Sequence, residues 1–144
     1  MTSNSENPKV GKQFQIAVKD WFETNTHMKF ELECQIAIGK PAKLHRFDIA
    51  ETAKKTVIEC KCYTWTESGN VPSVKMGFTN EAAFYLSFLP VSIDKVIVMA
   101  KSTHPEHNET LADYYFRTNR HLLGDISIME YNMNANTMRM VGKN

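Results

Sequence analysis

Two segments, Lys43-Leu44-His45-Arg46-Phe47-Asp48-Ile49-Ala50 and Thr56-Val57-Ile58-Glu59-Cys60-Lys61-Cys62-Tyr63, decide how this 144-residue chain folds. Both read as strands, and the four residues between Glu51 and Thr56 are short and polar enough for a hairpin. In the second segment Val57, Glu59 and Lys61 share one face, and Ile58, Cys60 and Cys62 share the other. The Ile58 face is apolar and is expected against a helix. The Glu59 face presents a carboxylate and an ammonium two residues apart, ~7 Å along the strand. Pairing the two strands as a hairpin brings Asp48 beside Glu59.

Upstream, Gly11 to Thr24 predicts a helix, with Phe14, Ala17, Val18 and Trp21 at helical spacing and Phe22 widening the stripe. Lys29 to Ile38 predicts a strand. Phe30, Leu32, Cys34 and Ile36 alternate there with Glu31, Glu33 and Gln35, which are expected on the wet face of an edge strand. Gly39-Lys40-Pro41 marks the turn into the next strand. Downstream, Thr64 to Val71 reads as a loop. Pro72 to Leu89 predicts a helix with an apolar stripe of Val74, Phe78, Ala82, Tyr85 and Leu89, begun by Pro72 and stopped by Pro90. Val91 to Lys101 carries the apolar run Val96-Ile97-Val98-Met99 of a covered strand. Glu109 to Leu122 predicts a helix, and Ile126 to Tyr131 with Thr137 to Val141 a closing hairpin. The order is that of an α/β protein, a mixed sheet covered by helices. Residues 1–10 are expected to be a flexible lead-in to a single domain over 11–144.

Composition sets outer limits. A hydrophobic content of 42% can supply a core without staples. No apolar run approaches the ~20 residues that span a bilayer, and the polar start of the chain lacks a signal-peptide pattern, so a soluble cytoplasmic protein without membrane contact is expected. Three cysteines, Cys34, Cys60 and Cys62, argue against a disulfide framework. His104, Glu106 and His107 lie in a stretch expected to be a solvated loop, short of the ligands a zinc site needs. A net charge of +1 excludes a strongly basic nucleic-acid binder, so any such contact would come from local clusters.

Two close carboxylates are costly unless a cation lies between them. Mg²⁺ accepts such hard oxygen ligands, and a lysine beside them can hold a water and offset negative charge on a reacting phosphodiester. The plain alternative is a solvated strand face with an ion pair of little consequence. The apolar flanks Val57-Ile58 and Cys60-Cys62 favour a covered central strand instead.

Asp48, ten intervening residues and Glu59-Cys60-Lys61 resemble the signature of the PD-(D/E)XK nucleases, which include restriction endonucleases and archaeal Holliday-junction resolvases. The resemblance runs from Gly11 to Lys101. It implies a restriction endonuclease-like α/β/α core, hydrolysis of DNA phosphodiester bonds, and Mg²⁺, or Mn²⁺ in its place, held by Asp48, Glu59 and the backbone carbonyl of Cys60. It also implies that Lys61 positions the attacking water. Gln15, on the first helix, matches a place where many members carry Glu or Gln. Two departures are Phe47, where the family's name has proline, and Gln15, where Glu is commoner.

Further contacts with DNA are expected from Ser73 and Lys75 at a helix start that favours phosphate. Tyr63 and Trp65, directly after the motif, read either as stacking surfaces for a base or sugar or, the reading their place at a strand end favours, as aromatic packing. Lys40, Lys43 and Arg46 with Lys54 and Lys55 are a candidate backbone-tracking patch. A homodimer is expected, since one small site cuts one strand and two-fold symmetry is the simplest route to both. The alternative function is a nuclease-like DNA-binding or assembly module of a larger DNA-processing complex.

Overall fold

The computed structural model describes residues 8–144. A six-stranded mixed sheet runs β1 (Phe30–Ile38), β2 (Lys43–Glu51), β3 (Thr56–Lys61), β4 (Asp94–Ala100), β5 (Ser127–Asn132) and β6 (Thr137–Gly142), and its spatial order is the order in the chain. The first three strands form an antiparallel meander, β3, β4 and β5 are parallel, and β6 returns antiparallel. The helices are α1 (Pro8–Thr26), α2 (Ser73–Leu86) and α3 (Leu111–Asn119), the last continued by a 3₁₀ turn over Arg120–Leu122.

The layering follows from these connections. α2 links β3 to β4 and α3 links β4 to β5, two parallel crossovers that step the same way across the sheet. Crossovers of one hand that step one way place their helices on one face. One core cluster accordingly joins Met76, Ala83 and Leu86 of α2 and Leu111, Ala112 and Tyr115 of α3 to Val57, Ile97 and Ile128 of the sheet. The opposite face is covered by α1, whose Phe14, Val18 and Phe22 pack on Phe30, Ile49, Ile58, Val96 and Val98. No helix among the described residues is long and apolar enough to cross a membrane.

Several expectations shift. Helix α1 begins at Pro8, where a proline fits the first turn, so residues 8–10 belong to the helix; residues 1–7 of the expected lead-in lie outside the described residues. Helix α2 ends at Leu86, with Pro72 as its non-helical cap, and its inner face differs from the expected stripe. Met76, Thr79, Ala82, Ala83 and Leu86 are buried, while Val74 and Phe78 are exposed. Apolar residues surround this helix, so spacing alone could not select the inner face; the small side chains of Ala82 and Ala83 permit the close approach.

The largest departure is in β1 and β2. Period two puts Phe30, Leu32, Cys34 and Ile36 on one face, yet Phe30 and Leu32 pack with α1 while Cys34 and Ile36 pack with α2. The switch falls at Glu33, whose φ is +56°. A left-handed residue reverses the sense of alternation without lengthening the strand. The β1–β2 ladder keeps one register on both sides of it, from Phe30↔Glu51 and Leu32↔Ile49 to Cys34↔Phe47 and Ile38↔Lys43. That register sets Asp48 across from Glu33. β2 switches faces at the same point, since Ile49 packs with α1 and Phe47 with α2.

A left-handed glutamate costs of order 1 kcal/mol, which glycine does not incur. Glu33→Gly is therefore expected to hold or raise the urea midpoint, whereas the β-branched Glu33→Val should lower stability by ~1–2 kcal/mol. The exposed pair of Glu33 with Lys12, at 3.3 Å, adds little to either result. Equal midpoints for the glycine and valine variants would contradict the strain at this turn of the strand.

Candidate active site

The switch in β2 opens the sheet where the sequence places its chemistry. β2 pairs with β3 only through Ile49↔Ile58 and Ala50↔Val57. One step further the register would set Asp48 opposite Glu59, but there a side chain replaces the ladder. The Cys60 amide donates to Oδ2 of Asp48 at 2.8 Å. The hairpin that aligns the two strands is held by Glu51, whose carboxylate accepts from the amides of Ala53 (2.8 Å) and Lys55 (3.2 Å). From the α1 side the Gln15 amide donates to the Asp48 carbonyl at 2.7 Å. Gln15 is itself buried, so it fixes the backbone that carries Asp48.

Glu59 is 6% exposed. Burial pushes its carboxyl up to about 9, and the adjacent Asp48 carboxylate adds to the rise through a hydrogen bond and like charge; Lys61 acts the other way. The N–H and C=O of one strand residue point to the same side. Because the Cys60 amide reaches toward Asp48, the Cys60 carbonyl opens toward the same gap. Two carboxyls and a carbonyl therefore meet where β2 leaves β3, a hard-oxygen donor set of the kind that suits Mg²⁺. The raised Glu59 carboxyl supports that fit, since an isolated pair resists a second negative charge and a cation relieves it. No cluster of three or more His, Cys, Asp or Glu side chains placed to hold a metal occurs among the described residues. The set thus rests on two side chains, with substrate and water left to complete it.

Lys61 ends β3 on the Glu59 face, half-buried, with no hydrogen bond or ion pair among the described residues. Its ammonium is free to meet a substrate or a water. His45 was missed by sequence reading. Its Nε2 lies 3.7 Å from Oε1 of Glu59, and its ring stacks on Tyr85 of α2 with centroids 3.9 Å apart. Burial lowers its pKa from the ordinary histidine value, so neither member of this pair favours its charged form. Strict alternation would have put residues 45 and 48 on opposite faces; the switch at Asp48 brings His45 to the Glu59 side.

The remaining expected residues divide. Lys75 sits over the rings of Tyr63 and Phe78, 5.5 and 5.7 Å from their centroids, which ties the start of α2 to the end of β3. Ser73 is exposed in the first turn of α2, and no side chain caps that helix end. Trp65 is only 8% exposed. Its ring is taken up by His104, His107 and Tyr114, at 4.8, 6.4 and 5.3 Å, which makes it a packing residue rather than an open stacking surface. The stretch around His104 is the loop expected, with Pro105, Glu106 and His107 exposed; within it His104 is half-buried, its Nε2 donating to the Gly69 carbonyl at 2.9 Å and its Nδ1 accepting from the Glu106 amide at 3.0 Å. It clips together the loops that follow β3 and β4. The basic patch is split, because Lys40 and Lys43 flank the β1–β2 turn while Lys54 and Lys55 lie in the β2–β3 hairpin, at the far end of β2.

Comparison with protein-family models, with curated proteins and with solved structures finds no match to this chain.

The buried carboxyl has a consequence for stability. Folded Glu59 holds its proton up to about 9, whereas the ordinary value is 4.5. Between those values the folded chain binds more protons than the unfolded one, so stability falls as pH rises. Metal-free protein should show a urea midpoint that declines from about pH 5 to about pH 8, and Glu59→Gln should remove most of that decline. The same decline in the variant would mean that another group carries it.

Proposed function

We propose that the chain is a metal-dependent nuclease with a restriction endonuclease-like core, hydrolysing DNA phosphodiester bonds at Asp48, Glu59 and Lys61. The observation that carries this reading is the carboxyl pair at the gap between β2 and β3, with a free lysine two residues beyond Glu59 on the same face. An antiparallel meander followed by a helix and a parallel strand is also the element order that the resemblance implies.

In this reading Asp48, Glu59 and the Cys60 carbonyl hold Mg²⁺ or Mn²⁺. A divalent ion supplies Lewis acidity to a phosphate oxygen and lowers the pKa of a water. The chain's own residues do the rest. Asp48 is locked in place by the Cys60 amide and by Gln15, so its second carboxylate oxygen keeps a fixed direction. Lys61 holds the attacking water and offsets charge as it develops on the phosphate. Lys75 and the uncapped start of α2 take a neighbouring phosphate. Burial on the Glu59 side excludes bulk water, which strengthens each of these interactions.

The test is incubation of the protein with plasmid, linear, single-stranded and branched DNA, with Mg²⁺, with Mn²⁺ and with EDTA. Cleavage of at least one substrate is expected with metal and none in EDTA. Asp48→Ala and Lys61→Ala should each lower the rate by a factor of ~10² or more, with circular dichroism unchanged. Well-folded wild-type protein that cuts none of them, or an Asp48→Ala variant that cuts at the wild-type rate, would refute the assignment.

A further inference from the structure

Helix α2 carries its large rings on the outside. Its inner face is Met76, Thr79, Ala82, Ala83 and Leu86, while Phe78 and Phe84 are 44% and 61% exposed and Phe88, in the turn just past its end, is 47% exposed. A single exposed phenylalanine needs no explanation, but a group of them beside a candidate site does.

Phe84 and Phe88 are joined to the site. The Phe88 and Phe84 rings meet at 5.1 Å, Phe84 and Tyr85 at 6.3 Å, and Tyr85 stacks on His45 at 3.9 Å. His45 is the residue 3.7 Å from the Glu59 carboxyl. An unbroken row of aromatic side chains thus leads from a buried carboxyl along the outer side of α2 to the turn beyond it. Beyond Phe88 lies a groove of about 590 Å³, lined by Ala37, Ile38, Gly39, Lys40, Phe88 and Pro90. That volume falls within the ~300–1,000 Å³ of small-molecule clefts, enough for a nucleotide. Cations stand at both flanks, Lys40 in the groove and Lys75 between Tyr63 and Phe78.

We propose that this row is a stacking track for an unpaired nucleic-acid strand, which it guides to the Asp48–Glu59 carboxyls. Every base offers a π-face, so an aromatic row binds single strands with little regard to sequence, and lysines at its margins take the phosphates. A duplex hides those faces within its own stack. Glu81, the sole carboxylate of α2, is exposed and near enough to bear on the charge of His45. It repels phosphate from the middle of the helix and leaves the bases there, with phosphates toward Lys40 and Lys75. A docked protein would also use apolar area, but nothing in that use calls for rings that run to a carboxyl pair.

The proposal rests on the nuclease reading for the destination of the strand, while binding to the track does not depend on cleavage. The test is therefore fluorescence anisotropy in EDTA with labelled oligothymidylate and a duplex of equal length. Wild-type protein should bind the single strand more tightly. Phe84→Ala and Phe88→Ala should each weaken that binding by roughly 5- to 150-fold, with circular dichroism unchanged. The Phe84→Leu/Phe88→Leu double variant keeps apolar area without rings, and it should lose affinity as well. Equal affinity for duplex and single strand, or undiminished binding by the alanine or leucine variants, overturns the proposal. So does a self-associated wild type that the alanine changes render monomeric while single-strand affinity stays constant, since the face would then join copies of the chain. Failure of metal-dependent cleavage alongside the expected binding would sink the nuclease reading alone; cleavage of duplex without single-strand preference would sink the track alone.

Discussion

The hydrogen bond from the Cys60 amide to the Asp48 carboxylate is the contact on which the candidate site depends. A buried amide must find an acceptor. Where β2 leaves β3, the backbone no longer provides one, and the Asp48 side chain takes its place. The charge-assisted bond fixes the carboxylate and turns the Cys60 carbonyl to the same gap. The residues on that face are arranged around it, Glu59 across the hairpin, Lys61 beyond it and His45 on the switched part of β2, while Gln15 braces the Asp48 carbonyl from the α1 side.

The reason β2 leaves β3 lies one strand away. The left-handed turn at Glu33 switches the faces of β1, and β2 follows in register. The switch lets the outer parts of β1 and β2 pack their apolar residues under α2 while the inner parts pack them under α1. A strained, exposed residue on an edge strand thus sets the position of a carboxylate on the next strand. The result is electrostatically unfavourable as it stands, with a buried Glu59 beside Asp48. A protein that needed only a stable sheet would gain from an apolar pair at this place. A cation between the two carboxyls would offset that cost.

Much of this was legible in the sequence. The order of elements, the apolar face of Ile58 and Cys60 under α1, and the opposition of Asp48 and Glu59 all follow from period-two alternation and a short hairpin. What alternation could not supply is the point where it breaks. Nothing in Phe30 to Ile38 marks Glu33 as left-handed, so the side on which His45 lies was hidden, and with it the ring row. Helix α2 failed for another reason: a helix with apolar residues on all sides gives no periodic signal, and the exposed Val74 and Phe78 read as core. Trp65 was ambiguous because aromatic residues at a strand end serve packing and stacking equally well, and its environment comes from the distant loop around His104 and His107.

The central claim is that Asp48 and Glu59 share a cation. Crystals grown with Mn²⁺ and measured for anomalous scattering test it without reference to any substrate. A peak between the two carboxyls, within coordination distance of the Cys60 carbonyl and lost in Asp48→Asn, is the expected result. An ordered site with no anomalous peak, and a direct hydrogen bond between the Asp48 and Glu59 carboxyls in its place, would contradict it.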